Sequence, residues 1–156
     1  MITANHTHSA PGGYSHFPFY SFPMGGIHFD VIETYATAIV KSILEAQNQL
    51  QPAVLKIKRA VFSPADQVAY NRSVEPYNAN EDVVDKISPQ EDYLGIDPEM
   101  LLLLFEDLNG KIIGSIDWFG VHTTSVGNEC FKISSDNKGY AASYLEEEVP
   151  GSVMAF

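Results

Sequence analysis

The chain predicts an α/β fold, a layered mixed sheet with flanking helices, and three patterns carry that prediction. Phe29, Ile32, Ala36, Ile39, Val40, Ile43 and Leu50 recur with the period of an amphipathic helix, while Glu33, Lys41 and Glu45 stand off the stripe. Leu55, Ile57 and Val61 fall at alternate positions with Lys56 and Lys58 between them, as in a half-exposed strand. Met100 to Phe105 is an unbroken apolar run that Asn109-Gly110 turns back into Lys111 to Val121, a hairpin of two buried strands. Alternation of strand and helix is the signature of a layered α/β domain.

The other elements follow in order. Met1-Ile2-Thr3-Ala4 reads as the end of a strand. Tyr14 to Ile27 is an aromatic loop with Tyr14, Phe17, Phe19, Tyr20 and Phe22, which either pins itself to the body or walls a site for a lipid-like substrate. Asp30 opens the long helix and Pro52 stops it. Ser63 to Pro98 has no sustained period and predicts a long, largely irregular excursion. Asp136 to Glu147 predicts a second helix with Tyr140, Ala141, Tyr144 and Leu145 facing inward, closed by Pro150-Gly151. Ser152 to Phe156 begins a last apolar strand. A strand end at one terminus and a strand start at the other predict a single partial domain over 1–156, truncated at both ends.

Bulk properties narrow the partners. The 156 residues suffice for a hydrophobic core. A net charge of -11 argues against nucleic acid and against an anionic membrane surface, and leaves neutral or zwitterionic lipid open. The acids gather in Glu81 to Glu99 and Glu146 to Glu148, as solvated loops and a helix end would. Cys130 is the single cysteine, so no intrachain disulfide forms and redox chemistry does not report a compartment. No window approaches the roughly 18 apolar residues of a transmembrane span, and no basic, apolar leader is present. Asn5 and Asn71 open glycosylation sequons, a weak signal.

The chemistry points to histidine. His6-Thr7-His8 precedes Ser9-Ala10-Pro11-Gly12-Gly13. In an extended chain residues two apart share a side, so this spacing sets two imidazoles together at a sheet rim, and the Pro-Gly-Gly turn bends the backbone away. Imidazole is the commonest protein ligand of catalytic zinc, although a hydrogen-bonded histidine pair fits the motif equally well. His122 strengthens the metal reading, ending a buried strand beside Thr123, Thr124 and Ser125. His16 and His28 fit surface or capping roles. Asp30 and Asp136 are conceivable substitute ligands that no spacing recommends.

Four segments together resemble a known family. Asn5 to Tyr14 resembles the T-H-T-H-S-G-P-G-G segment of neutral (non-lysosomal, alkaline) ceramidases; Asn71-Arg72-Ser73 is similar to their N-R-S. Asp117 to Ser125 resembles their W-F-A-x-H-x-x-S, and Ile133 to Ala141 their S-x-D-N-x-G-Y-A. The match is collinear over nearly the whole chain, weakest over Tyr77 to Pro98.

The resemblance implies part of a larger metal-hydrolase catalytic domain, an amidase that cleaves N-acylsphingosine (ceramide) to sphingosine and a fatty acid at Zn2+. It makes His6 and His122 the zinc ligands, places His8 at the scissile amide, and points Arg72 into the pocket as an oxyanion or hydroxyl anchor. It implies secretion or surface display. It further implies a downstream Glu and Tyr that complete the zinc site and a G-D-x-S-P-N serine, none of which this chain contains. The isolated stretch is therefore expected to be inactive, with the remainder of the catalytic domain as its partner. Thr123, Val126 and Cys130 depart from the family pattern near the metal. The rival readings are a non-catalytic lipid- or metal-binding module and, more distantly, a barrel-type metal hydrolase, whose parallel strand–helix units the Asn109-Gly110 hairpin opposes.

Overall fold

The computed structural model describes residues 2–156, so Met1 of the expected first strand lies outside the described residues. Contacts divide the chain into two units, Met1–Ala53 with Thr123–Asn137, and Val54–His122 with Lys138–Phe156.

The first unit begins without the expected strand: residues 2–7 have no regular structure. His6 has φ of 61°, and a left-handed residue cannot continue an extended run. The aromatic loop contains a short helix, α1 (Pro18–Ser21), which starts with proline where the missing N–H costs nothing. A 3₁₀ turn follows at Phe22–Met24. Helix α2 (Phe29–Asn48) forms where the apolar period predicts it, with Asp30 in the first turn facing the positive end of the helix dipole. None of its residues is buried, so the apolar stripe is displayed. Cys130 ends a 3₁₀ turn at Asn128–Cys130 and is exposed.

The second unit is built on a four-stranded sheet, β1 (Val54–Val61), β2 (Glu99–Glu106), β3 (Ile112–Phe119) and β4 (Val153–Ala155), in that spatial order. β1, β2 and β3 pair antiparallel and β4 joins β3 in parallel, which makes the mixed sheet expected from the sequence. Ile57 lies opposite Leu103, and Leu103 opposite Ile116, so apolar side chains line up across the strands. The β2–β3 hairpin turns at Asn109-Gly110 but is wider than a two-residue turn. Asp107 N donates to Lys111 O at 2.8 Å, and Asp107 Oδ1 accepts from the N–H groups of Asn109 and Lys111 at 2.8 and 2.9 Å. The Lys111 N–H in particular holds the Asp107 carboxyl below the usual carboxylate range.

Between β1 and β2 runs the irregular excursion, with short turns at Pro64–Asp66 and Pro89–Leu94 and helix α3 (Val74–Asn78). It is locked locally. Asn78 Nδ2 donates to Ile87 O at 2.8 Å while Ile87 N donates to Asn78 Oδ1 at 3.0 Å. β1, expected to be half-exposed, is exposed along its whole length.

Helix α4 (Asp136–Glu148) runs mostly in this second unit. Sequence periodicity turns Tyr140 and Tyr144 inward; both are exposed, and Lys138 is buried instead. Lys138 Nζ donates to Phe119 O at 2.7 Å and lies 5.4 and 5.6 Å from the ring centroids of Phe119 and Phe156. A long aliphatic stem with a satisfied ammonium packs as well as an apolar side chain there. Burial pulls the Lys138 ammonium below its ordinary pKa. Met154, Ser115 and Asp117 are also buried, and Ser115 Oγ donates to Asp117 Oδ2 at 2.7 Å. Asp117 Oδ1 has no hydrogen-bond partner among the described residues.

Burial pushes the Asp117 carboxyl up, against the opposing Ser115 hydrogen bond. As pH rises, the unfolded carboxyl loses its proton first, so this group lowers stability from about pH 3.9 upward. Asp117→Asn is expected to raise the urea midpoint at pH 7, with the gain shrinking below pH 4. Identical midpoints for the two chains at pH 7 would remove Asp117 as a destabilising charge.

Candidate functional site

His6 and His8 come together, by a route other than strand alternation. Their ring centroids are 4.8 Å apart, edge to face at 77°. The left-handed His6 turns the chain between them. A non-glycine residue in that region costs about 1 kcal/mol or more and persists where its neighbours are held. They are held here: Thr7 Oγ1 donates to Ser134 O at 2.8 Å, Ser9 N donates to Thr7 Oγ1 at 3.1 Å, and Ser134 N donates to Ser9 O at 2.8 Å. Thr7 is thereby tied down at half-buried depth, and the flanking imidazoles are exposed.

The segment after His122 is fixed by one carboxylate. β3 stops at Phe119, earlier than the sequence suggests, and Val121 N donates back to Phe119 O at 2.9 Å. His122 follows, exposed, and Thr123 is buried. Asp136 Oδ1 accepts from Ser125 N at 3.1 Å and Asn137 N at 2.6 Å, and its Oδ2 accepts from Val126 N at 3.0 Å. Desolvation pushes this carboxyl up, but the backbone donors from Val126, Asn137 and Ser125 outweigh it and leave the pKa below the ordinary value. Asp136 is also left-handed, with φ of 57°. The sequence marks it as a helix start; its role as a loop clamp was missed. The signal was Ser134-Ser135-Asp136-Asn137 before a helix, where Ser134 Oγ accepts from Asp136 N at 3.0 Å.

Arg72 sits between two anchored neighbours. Asn71 Nδ2 donates to Gly95 O at 3.0 Å, and Ser73 N donates to Asn71 Oδ1 at 2.9 Å. Arg72 is exposed, and no acid pairs with it among the described residues. His28 stands at the N-cap position of α2 but its ring does not cap the helix; Nε2 lies 2.7 Å from Met24 O instead. His6 and His8 belong to the first unit, His122 and Arg72 to the second.

The donor chemistry fits a zinc ion. His6, His8 and His122 each offer one exposed imidazole nitrogen, and neutral nitrogen ligands suit zinc. Asp136 is spent on backbone amides, which removes it as a substitute ligand.

Comparison with known proteins places the chain in a family. The family model for the neutral/alkaline non-lysosomal ceramidase N-terminal region matches residues 1–155. The chain belongs to the neutral/alkaline non-lysosomal ceramidase family. It is 41% identical to the neutral ceramidase of Pseudomonas aeruginosa, over 100% of this chain and 22% of that protein. It is 32% identical to neutral ceramidase B of Dictyostelium discoideum, over 97% of this chain and 20% of that protein. The fold matches a solved ceramidase complexed with C2 at a TM-score of 0.84 and 41% identity, covering 98% of this chain and 23% of that one. A crystal structure of the Pseudomonas aeruginosa neutral ceramidase matches at 0.80 and 39% identity, over 97% and 23%. The chain thus spans about a fifth of the length of these relatives. The mixed α/β architecture is that of a domain of a larger protein.

Asp136→Ala should loosen Thr123 to Val126 and lower the melting temperature at pH 7. The native carboxyl has the depressed pKa, so its contribution is present above the unfolded value and disappears as pH falls through the folded one. Melting curves at pH 7 and pH 3 check this, and an equal deficit at both would show that the charge is not what matters.

Proposed function

We propose that this chain supplies part of a zinc site that hydrolyses the amide bond of N-acylsphingosine, with His6 and His122 as zinc ligands and His8 and Arg72 acting on the substrate. The observation that carries this reading is the family match over residues 1–155, a span that takes in the three histidine- and arginine-bearing segments, Asn5 to Tyr14, Asn71 to Ser73 and Asp117 to Ser125. Zinc bound there would supply Lewis-acid polarisation of the amide carbonyl and an acidified water.

The chain's own residues have separate tasks. Arg72, exposed and unpaired with any described acid, donates hydrogen bonds to the oxygen on which negative charge develops, an interaction worth a few kcal/mol when removed from water. His8 delivers a proton to the departing sphingosine nitrogen, while hydroxide from water adds to the acyl carbon, so that the products are the amine and the fatty acid. Thr7 keeps the two imidazoles from swinging away, through its bond to Ser134. Further ligands are supplied by parts of the relatives' length that this chain does not span, and these 156 residues alone are proposed to turn over little or no ceramide.

Metal content by elemental analysis tests the site. His6→Ala and His122→Ala are each expected to weaken zinc binding at least about tenfold. Undiminished zinc in either variant would refute the ligand assignment, and robust ceramide hydrolysis by this chain with added zinc would refute its dependence on further residues.

A further inference from the structure

Lys138 carries a charge that the packing of the second unit does not require. It is 8% exposed, and no carboxylate lies within ion-pair distance of it among the described residues. Burying a charge away from any counter-charge is unfavourable, and methionine would fill much the same space without that penalty. What the ammonium has and a thioether lacks is a donor, and it donates to the Phe119 carbonyl oxygen at 2.7 Å.

That oxygen sits where the strand gives out. Phe119 is the last residue of β3, opposite Met100 of β2, and its ring centroid lies 5.1 Å from that of Phe62. Val121 N donates to the same oxygen at 2.9 Å, closing a three-residue turn centred on Gly120. A carbonyl oxygen has two lone pairs and can serve both donors. Gly120 is not fixed by its own stereochemistry: its φ lies outside the left-handed region, and a Cβ there would meet nothing within 4 Å. Glycine therefore answers no steric need here and leaves the turn free to open. One hydrogen bond alone is a weak restraint on such a residue. His122 follows the turn directly, and the Asp136 clamp begins only at Ser125, three residues beyond it.

We propose that Lys138 is a positioning residue whose ammonium, bonded to the Phe119 carbonyl, fixes the direction in which the chain leaves β3 and so sets the place of the His122 imidazole. The rings of Phe119 and Phe156, with centroids 5.4 and 5.6 Å from Nζ, hold the ammonium in place. Every group in this set of contacts belongs to the second unit. The inference deepens the proposed function and rests on it for the role of His122 as a zinc ligand. The anchor itself is read out without metal, so either reading can fail alone.

Backbone amide NMR relaxation of the zinc-free chain, with Lys138→Met set against the native residue, tests the anchor. His122 in the native chain is expected to have an order parameter of about 0.85, as rigid backbone does. Lys138→Met should lower it below about 0.6 while Leu102 in β2 keeps its value. Gly120→Ala added to Lys138→Met should recover part of the loss, because it stiffens the turn without a new contact. Zinc affinity should fall about tenfold in Lys138→Met, as it does when a group that orients a ligand is removed. A mobile His122 in the native chain, or an unchanged one in Lys138→Met, overturns the proposal. So does loosening of the whole β2–β3 hairpin, or a Lys138→Met chain that does not fold, because the ammonium would then serve the core. Zinc affinity unmoved by a loosened His122 overturns it too. Failure of the native chain to bind zinc refutes the ligand assignment of His122 instead, and the relaxation result still decides the anchor.

Discussion

The Asp136 carboxylate fixes the path of the chain after His122. A loop of Thr, Thr, Ser and Val has no strand or helix to satisfy its amides, and buried amides must find partners. Asp136 takes those of Ser125 and Val126, and that of Asn137 at the start of α4, with two oxygens. A carboxylate is the group best suited to this, because it only accepts and its charge strengthens each bond. The same residue pays in backbone conformation, being left-handed. One side chain therefore couples the start of a helix to the loop that follows a proposed zinc ligand.

A second constraint of the same kind governs the N-terminal histidines. His6 is strained, and the strain is tolerated because Thr7 and Ser9 are bonded to Ser134. Ser134 lies two residues before Asp136, so within the first unit the Thr7–Ser9 segment and the Ser125–Val126 amides are held from one short stretch, Ser134 to Asn137. Irregular backbone held by side-chain hydrogen bonds is the usual setting for catalytic and ligand-binding residues.

What was legible in the sequence were the elements with strong periods or strong turn residues. α2, the β2–β3 hairpin, α4 and β4 fall where their apolar patterns place them, because local propensity and tertiary pairing agree. The expected first strand is absent because His6 leaves the extended region, which no composition rule reveals. Tyr140 and Tyr144 were misplaced because helical period alone does not foresee that a lysine can satisfy its charge on the Phe119 carbonyl. The width of the β2–β3 turn depends on the Asp107 carboxylate, a side-chain effect outside the Asn-Gly rule. The family was legible in four segments taken together, and the family match over residues 1–155 bears it out.

Zinc K-edge X-ray absorption on the zinc-loaded chain tests the ligand assignment most directly. The account predicts imidazole nitrogens at about 2.0–2.1 Å from the ion, with one fewer in His122→Ala and one fewer in His6→Ala. An unchanged nitrogen count in either variant, or a shell made of oxygen alone, would contradict it.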